Sequence, residues 1–158
     1  MRSDIYKHGL TLVEMLVVVS LITILATIVI GIAAHIDNQS KERGLKSTFA
    51  LLESALQEYY EYVGTFPEQP EKDFINTFVH SEYFYKELNL IPGSREILGK
   101  INGSLLKNEY GTVDTPVEIY DPWGTVLDYR YVLGDNFPEL ISAGPDKVFG
   151  SADDITNR

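Results

Sequence analysis

The stretch Lys7-His8-Gly9-Leu10-Thr11-Leu12-Val13-Glu14-Met15-Leu16-Val17-Val18-Val19-Ser20 places an acid, Glu14, near the start of a run otherwise suited to lipid. An ionised side chain in a bilayer costs several kcal/mol unless it finds a partner. The run itself extends from Leu10 to Ala34, 25 residues broken only by Thr11, Glu14, Ser20, Thr23 and Thr27. As a helix it measures about 37 Å, against a hydrocarbon core of about 30 Å, so it can span a membrane with some tilt. Ahead of it, Arg2 and Lys7 stand against a single acid, Asp4. That Lys/Arg bias places the leading end in the cytoplasm and the remainder outside it.

Hydropathy leaves three readings of this segment. It is a cleaved secretory signal with Gly31-Ile32-Ala33 as the small-x-small site, a plain single-span anchor, or a helix used in assembly. The run is longer than the usual apolar region of a secretory signal, roughly 7–15 residues. A plain anchor explains the length and orientation but not Glu14.

The string Lys7 to Leu16 resembles the class III leader of type IV pilins and type II secretion pseudopilins. The resemblance implies cleavage by a prepilin peptidase after Gly9, N-methylation of the new terminus at Leu10, and an assembly role for Glu14. It departs from the family at one place, since the first mature residue is usually Phe and here is Leu10. Cleavage would leave a positive α-amine one helical turn from Glu14. In a staggered bundle of parallel helices that amine can meet Glu14 of a neighbouring subunit, and a pair of opposite charges in low dielectric attracts strongly. The amine and Glu14 of one chain can pair instead, at the same helical spacing. Gly31 bears on assembly too, as a weak point in the helix worth about 1 kcal/mol relative to Ala, or as a small residue for close helix packing.

Past the apolar run the chain turns polar and acidic. Over all 158 residues the formal charge is -10, and there is no Cys. The charge argues against nucleic acid as a partner, because phosphate binding needs a basic face. The missing Cys excludes disulfides, Cys-ligated metal and a thiol nucleophile. The 10 Tyr suit a domain with sheet and many half-buried positions.

Leu45, Phe49, Leu52, Leu56, Tyr59 and Val63 recur at three- and four-residue spacing, the stripe of a helix that buries one face. Gly64 and Phe66-Pro67 stop it. The spacing predicts one helix from Leu10 to Val63, about 80 Å long at 1.5 Å per residue. In the following region Asp73 is expected to cap a segment running to about Leu88, and Ser94 another to about Ile101. Phe74, Phe78, Tyr85 and Leu88 are expected to pack on the long helix. Strands are expected at Val117–Tyr120, Val126–Val132 and Glu139–Ala143. Between the first two, Asp121-Pro122-Trp123-Gly124 signals a turn with Trp123 as its core anchor. Leu127, Tyr129 and Tyr131 alternate with Asp128 and Arg130, the period of a half-buried strand.

The expected fold class is α+β. A long N-terminal helix, transmembrane in its first half, carries a small C-terminal antiparallel sheet on its second half. The expected segments are residues 1–9 as leader, 10–34 as transmembrane and assembly helix, and 35–158 as the periplasmic domain. Tyr120-Asp121-Pro122-Trp123-Gly124 followed by Tyr129-Arg130-Tyr131 resembles the first part of the sheet in the major pseudopilin of type II secretion. That resemblance implies a structural subunit of a helical homopolymer in the bacterial inner membrane and periplasm. Its partners would be itself, the prepilin peptidase, other pseudopilins and inner-membrane secretion components, with a separate ATPase supplying energy. Alternatives are a minor pseudopilin or type IV pilin-like subunit with a binding role, or a membrane-anchored domain of other function.

The run from Ser142 to Ile155 holds Asp146, Asp153 and Asp154 between and beyond Gly144 and Gly150. Calcium takes 6–8 oxygen ligands, which a loop folded back on itself can supply. The spacing is not that of an EF-hand. Its similarity to the C-terminal calcium loop of the pseudopilin family implies side-chain ligands at Asp146, Asp153 and Asp154, with backbone carbonyls near Ala143 and Val148. Lys147 sits within that loop. An enzyme is not expected: His8, His35 and His80 are far apart, and no phosphate loop, nucleophile elbow or H-E-x-x-H motif is present.

Overall fold

The computed structural model of the chain describes residues 11–110 and 117–158, and for residues 30–34 it describes the backbone only. The chain divides into two units, one up to Gln39 and one of Ser40–Arg158. Helix α1, Leu12–Val63, contributes to both.

In the first unit none of the α1 residues over Leu12–Val29 is buried. Its hydroxyls are satisfied within the helix. Ser20 Oγ donates to the Leu16 carbonyl at 2.8 Å, Thr23 Oγ1 to Ser20 at 2.8 Å, and Thr27 Oγ1 to Ile24 at 2.8 Å. Back-bonding of this kind lets Ser and Thr sit in an apolar helix without an unpaired donor. This is the one helix among the described residues long and apolar enough to cross a membrane.

The second unit is built on the far part of α1. Leu45, Phe49, Leu52, Ala55, Leu56 and Tyr59 form the buried stripe, as their spacing predicts. Val63 is the exception at 45% exposed, because the helix ends there and Gly64 turns away at φ +85°. Against this stripe pack α2 (Thr77–Leu90), α3 (Pro92–Leu98) and five short strands. These are β1 (Leu106–Lys107), β2 (Glu118–Ile119), β3 (Asp128–Arg130), β4 (Glu139–Ser142) and β5 (Ile155–Thr156). β1 and β2 pair antiparallel; β3, β4 and β5 form a second antiparallel sheet in that order. The arrangement is α+β and consistent with a pilin-like fold. β1 and β5 have no counterpart among the expected strands.

Several local expectations change. Asp73 does cap, accepting from Ile75 N at 2.9 Å, but the element it opens is a 3-10 turn, Phe74–Asn76, ahead of α2. Ser94 is not a cap. It lies inside α3, fully buried, and donates to the Ala55 carbonyl of α1 at 2.7 Å; Pro92 opens the helix instead. Phe74 and Phe78 find aromatic partners off the long helix: Phe74 stacks on Phe149 at 4.6 Å and Phe78 on Tyr110 at 5.1 Å. The central contact of α2 is Phe84, stacked on Tyr129 at 4.2 Å. Burying such a side chain contributes about 2–3 kcal/mol, and the Tyr129 hydroxyl is satisfied by the Pro67 carbonyl at 2.7 Å.

Candidate functional site

The acid at the start of the span has a structural partner in its own chain. Thr11 N donates to Glu14 Oε2 at 2.7 Å and Thr11 Oγ1 to the same oxygen at 2.8 Å. Glu14 N donates back to Thr11 Oγ1 at 3.2 Å. Thr-x-x-Glu with these reciprocal bonds is a capping box, which satisfies donors that every helix start leaves open. The signal was in the sequence and was not read there. The cap supplies hydrogen bonds but no cation, so it leaves the charge of Glu14 in place. Gly9 and Leu10 lie outside the described residues, as do the surroundings of Gly31.

The C-terminal loop closes tightly. A Cβ on Gly144, at φ +67°, would stand 2.1 Å from the Asp153 carbonyl oxygen, so only glycine fits where the two ends of the loop meet. Asp146 Oδ1 accepts from Val148 N at 2.9 Å and Asp154 Oδ2 from Gly150 N at 2.8 Å. Lys147, at φ +62°, is exposed. Asp146 and Asp153 are also exposed, Ala143 is buried and Val148 is 59% exposed. Among the described residues no three His, Cys, Asp or Glu side chains gather as a metal centre. The loop therefore does not bring its three acids together as a carboxylate cage. One feature does fit a cation: Asp154 Oδ1 is buried and has no hydrogen-bond partner. A buried carboxylate oxygen without a donor is costly, and a hard cation is one group that relieves it.

A buried ionic network was missed altogether. His80 of α2 is 3% exposed; its Nδ1 lies 2.7 Å from Asp128 Oδ1 and its Nε2 3.2 Å from Glu71 Oε2. Arg130 Nε donates to Asp128 Oδ2 at 2.7 Å. The guanidinium also lies over the Phe74 ring at 4.1 Å. Both imidazole nitrogens face carboxylates, and both can donate only when the ring carries two protons. Burial holds the Asp128 carboxyl above its ordinary pKa, against the opposing pull of His80 and Arg130. Asp128 was expected on the solvent face of its strand. It is fully buried, with His80 of α2 and Arg130 against its carboxylate.

The Asp-Pro-Trp-Gly turn is held by Asp121. Its Oδ1 accepts from Trp123 N and Thr125 N, each at 2.9 Å, and its Oδ2 accepts from Ser142 Oγ at 2.7 Å. Trp123 joins the core as expected.

These features define a class: a single-span, membrane-anchored protein whose exposed apolar helix leads into an α+β unit. Residues 6–30 match the family described as "Prokaryotic N-terminal methylation motif", so the chain carries the signal of a type IV pilin-like precursor. The motif points to processing by a prepilin peptidase and to assembly with other pilin-like subunits. No curated protein and no solved structure matches the chain.

Proposed function

We propose that this chain is a non-catalytic structural subunit of a type II secretion pseudopilus, polymerising through its N-terminal helix to support protein export across the outer membrane. The observation that carries this reading is the pairing of the methylation motif with an apolar helix of which no residue over Leu12–Val29 is buried. Before assembly lipid covers that surface; in a filament the same helices of neighbouring subunits cover it. Cleavage after Gly9 frees the amine of Leu10, and Glu14 of a neighbour receives it. The capping box supports this division of labour, since the described bonds use Oε2 alone and leave the acid's charge to be matched from outside. The α+β unit then stands in the periplasm and forms the outer surface of the filament.

Calcium belongs to the same proposal. The ion would take Asp154 with backbone carbonyls of the loop, including those near Ala143 and Val148, and Asp146 and Asp153 from its rim. Its role would be to stiffen the loop. The unpartnered Asp154 Oδ1 supports this.

Coexpression with a prepilin peptidase and secretion components tests the function. Sedimentable filaments containing the chain are expected; a processed chain that never leaves the membrane fraction would overturn the filament role. Calorimetric titration of the whole chain in detergent tests the ion. Heat saturating by millimolar calcium is expected, and no heat at that concentration removes the calcium role while leaving the filament intact.

A further inference from the structure

The loop that carries Asp146, Asp153 and Asp154 is held by a residue outside it. β5 begins directly after Asp154 and runs for two residues, Ile155 and Thr156, against Ser142 and Ile141 of β4. So short a pairing returns few bonds for the chain it orders. The next residue, Asn157, supplies the rest. Its backbone N donates to the Leu140 carbonyl at 3.3 Å, and its Oδ1 accepts from Leu140 N at 2.9 Å. Its Nδ2 donates to the Pro138 carbonyl at 3.3 Å and to Glu53 Oε1 of α1 at 3.0 Å. One side chain thus ties the exit of the loop both to β4 and to a helix residue 104 positions earlier.

The loop itself opposes closure at two places. Asp154 Oδ1 is buried without a partner, and Lys147 stands at φ +62°, where a side chain is strained. Its mouth is tight, with Gly144 against the Asp153 carbonyl. The closed segment therefore depends on what holds its exit. We infer that Asn157 is a positioning residue for the calcium site proposed above: its bonds to Glu53 and Leu140 fix β5, and through it the Asp154 carboxylate three residues back. Along an extended strand that is about 10 Å, so Asn157 does not touch the ion. The inference rests on the calcium reading and adds to it. A site that forms only in the closed segment binds in proportion to the closed fraction. By reciprocity the ion tightens the hold of this segment on α1.

The test uses the full chain in detergent. Calorimetry reads calcium affinity, and mass spectrometry reads amide exchange in residues 138–142. Asn157→Asp keeps the acceptor for Leu140 N but sets a carboxylate against Glu53 and the Pro138 carbonyl. A hydrogen bond to a charged group is worth about a decade in an equilibrium constant. The calcium Kd is therefore expected to rise about tenfold, and exchange at Leu140 to quicken about tenfold. Adding Glu53→Gln to Asn157→Asp supplies a donor from the opposite side, and both values are expected to return towards those of the unaltered chain. Adding Glu61→Gln instead, at an exposed acid of the same helix, is expected to restore neither. An unchanged Kd in Asn157→Asp, or recovery that Glu61→Gln gives as well as Glu53→Gln, overturns the positioning role while calcium binding stands. An unaltered chain that gives no calcium heat overturns the calcium reading itself, and the inference with it.

Discussion

Thr11 and Glu14 bond reciprocally at the entrance to the apolar helix, with Thr11 N 2.7 Å from Glu14 Oε2 and Glu14 N 3.2 Å from Thr11 Oγ1. The acid thus has a local task, starting the helix, besides the intermolecular one proposed for its charge. The two tasks separate by substitution. Gln serves a capping box as Glu does, but carries no charge. Glu14→Gln and Glu14→Ala are both expected to insert in the membrane and both to fail in assembly, read as the yield of sheared filaments. Glu14→Ala also weakens the first turn, by about 1 kcal/mol. Normal filament yield from Glu14→Gln would show that capping, not charge, is what assembly needs.

Asp128 holds both His80 and Arg130, and all three are largely shielded from water. Removing one partner of a buried ionic group strands the others, at about 3–5 kcal/mol. Asp128→Ala is expected to lower stability by about 3 kcal/mol in urea unfolding. Glu71 makes the other contact to His80 but is 59% exposed. Glu71→Gln is expected to change stability by less than about 0.5 kcal/mol. Equal losses from the two would place the anchor of His80 elsewhere.

The contrast between these two acids also marks what the sequence made legible. The long helix was readable because Leu45, Phe49, Leu52, Leu56 and Tyr59 repeat a helical period over four turns. Leu127, Tyr129 and Tyr131 were readable as an inward row for the same reason, at period two. Asp128 was misplaced because alternation reports one covered face. Nothing local says that α2 will bring His80 to the other from 48 positions away. Ser94 failed similarly: a serine near a helix start reads as a cap, and only the tertiary approach of α1 makes it a buried donor. Of the proposed loop ligands, the resemblance named the acids but not their directions. Those depend on the turns at Gly144 and Gly150.

Gly144 and Gly124 both have positive φ, +67° and +91°, but different neighbours. A Cβ on Gly124 meets nothing within 4 Å; one on Gly144 meets the Asp153 carbonyl. Gly124→Ala is expected to cost about 1 kcal/mol from backbone strain alone. Gly144→Ala is expected to cost more, about 2–3 kcal/mol, since backbone must move as well. Thermal unfolding of the two variants side by side measures the difference; equal costs would mean the loop ends are not in contact.

Glu82 of α2 has its carboxyl pKa raised above 4.5, by burial first and then by its neighbour Glu118, which is fully buried in β2. A carboxyl with a raised folded-state pKa binds its proton more tightly when folded. Below its unfolded pKa of about 4.5 the group is protonated in both states and costs nothing; the penalty builds as pH rises from there to the folded value and is constant above it. Glu82→Gln is expected to stabilise the unit at pH 7, by roughly 0.5 kcal/mol, and to leave stability unchanged at pH 4. Stabilisation of the same size at both pH values would trace the effect to packing rather than charge.

The most direct test of the filament account is the mass of the N-terminal peptide of the chain isolated from a host with a prepilin peptidase. A peptide beginning at N-methylated Leu10 is the predicted result, because only cleavage after Gly9 supplies the cation that Glu14 of a neighbour is to meet. A chain that begins at Met1 in assembled filaments would contradict it.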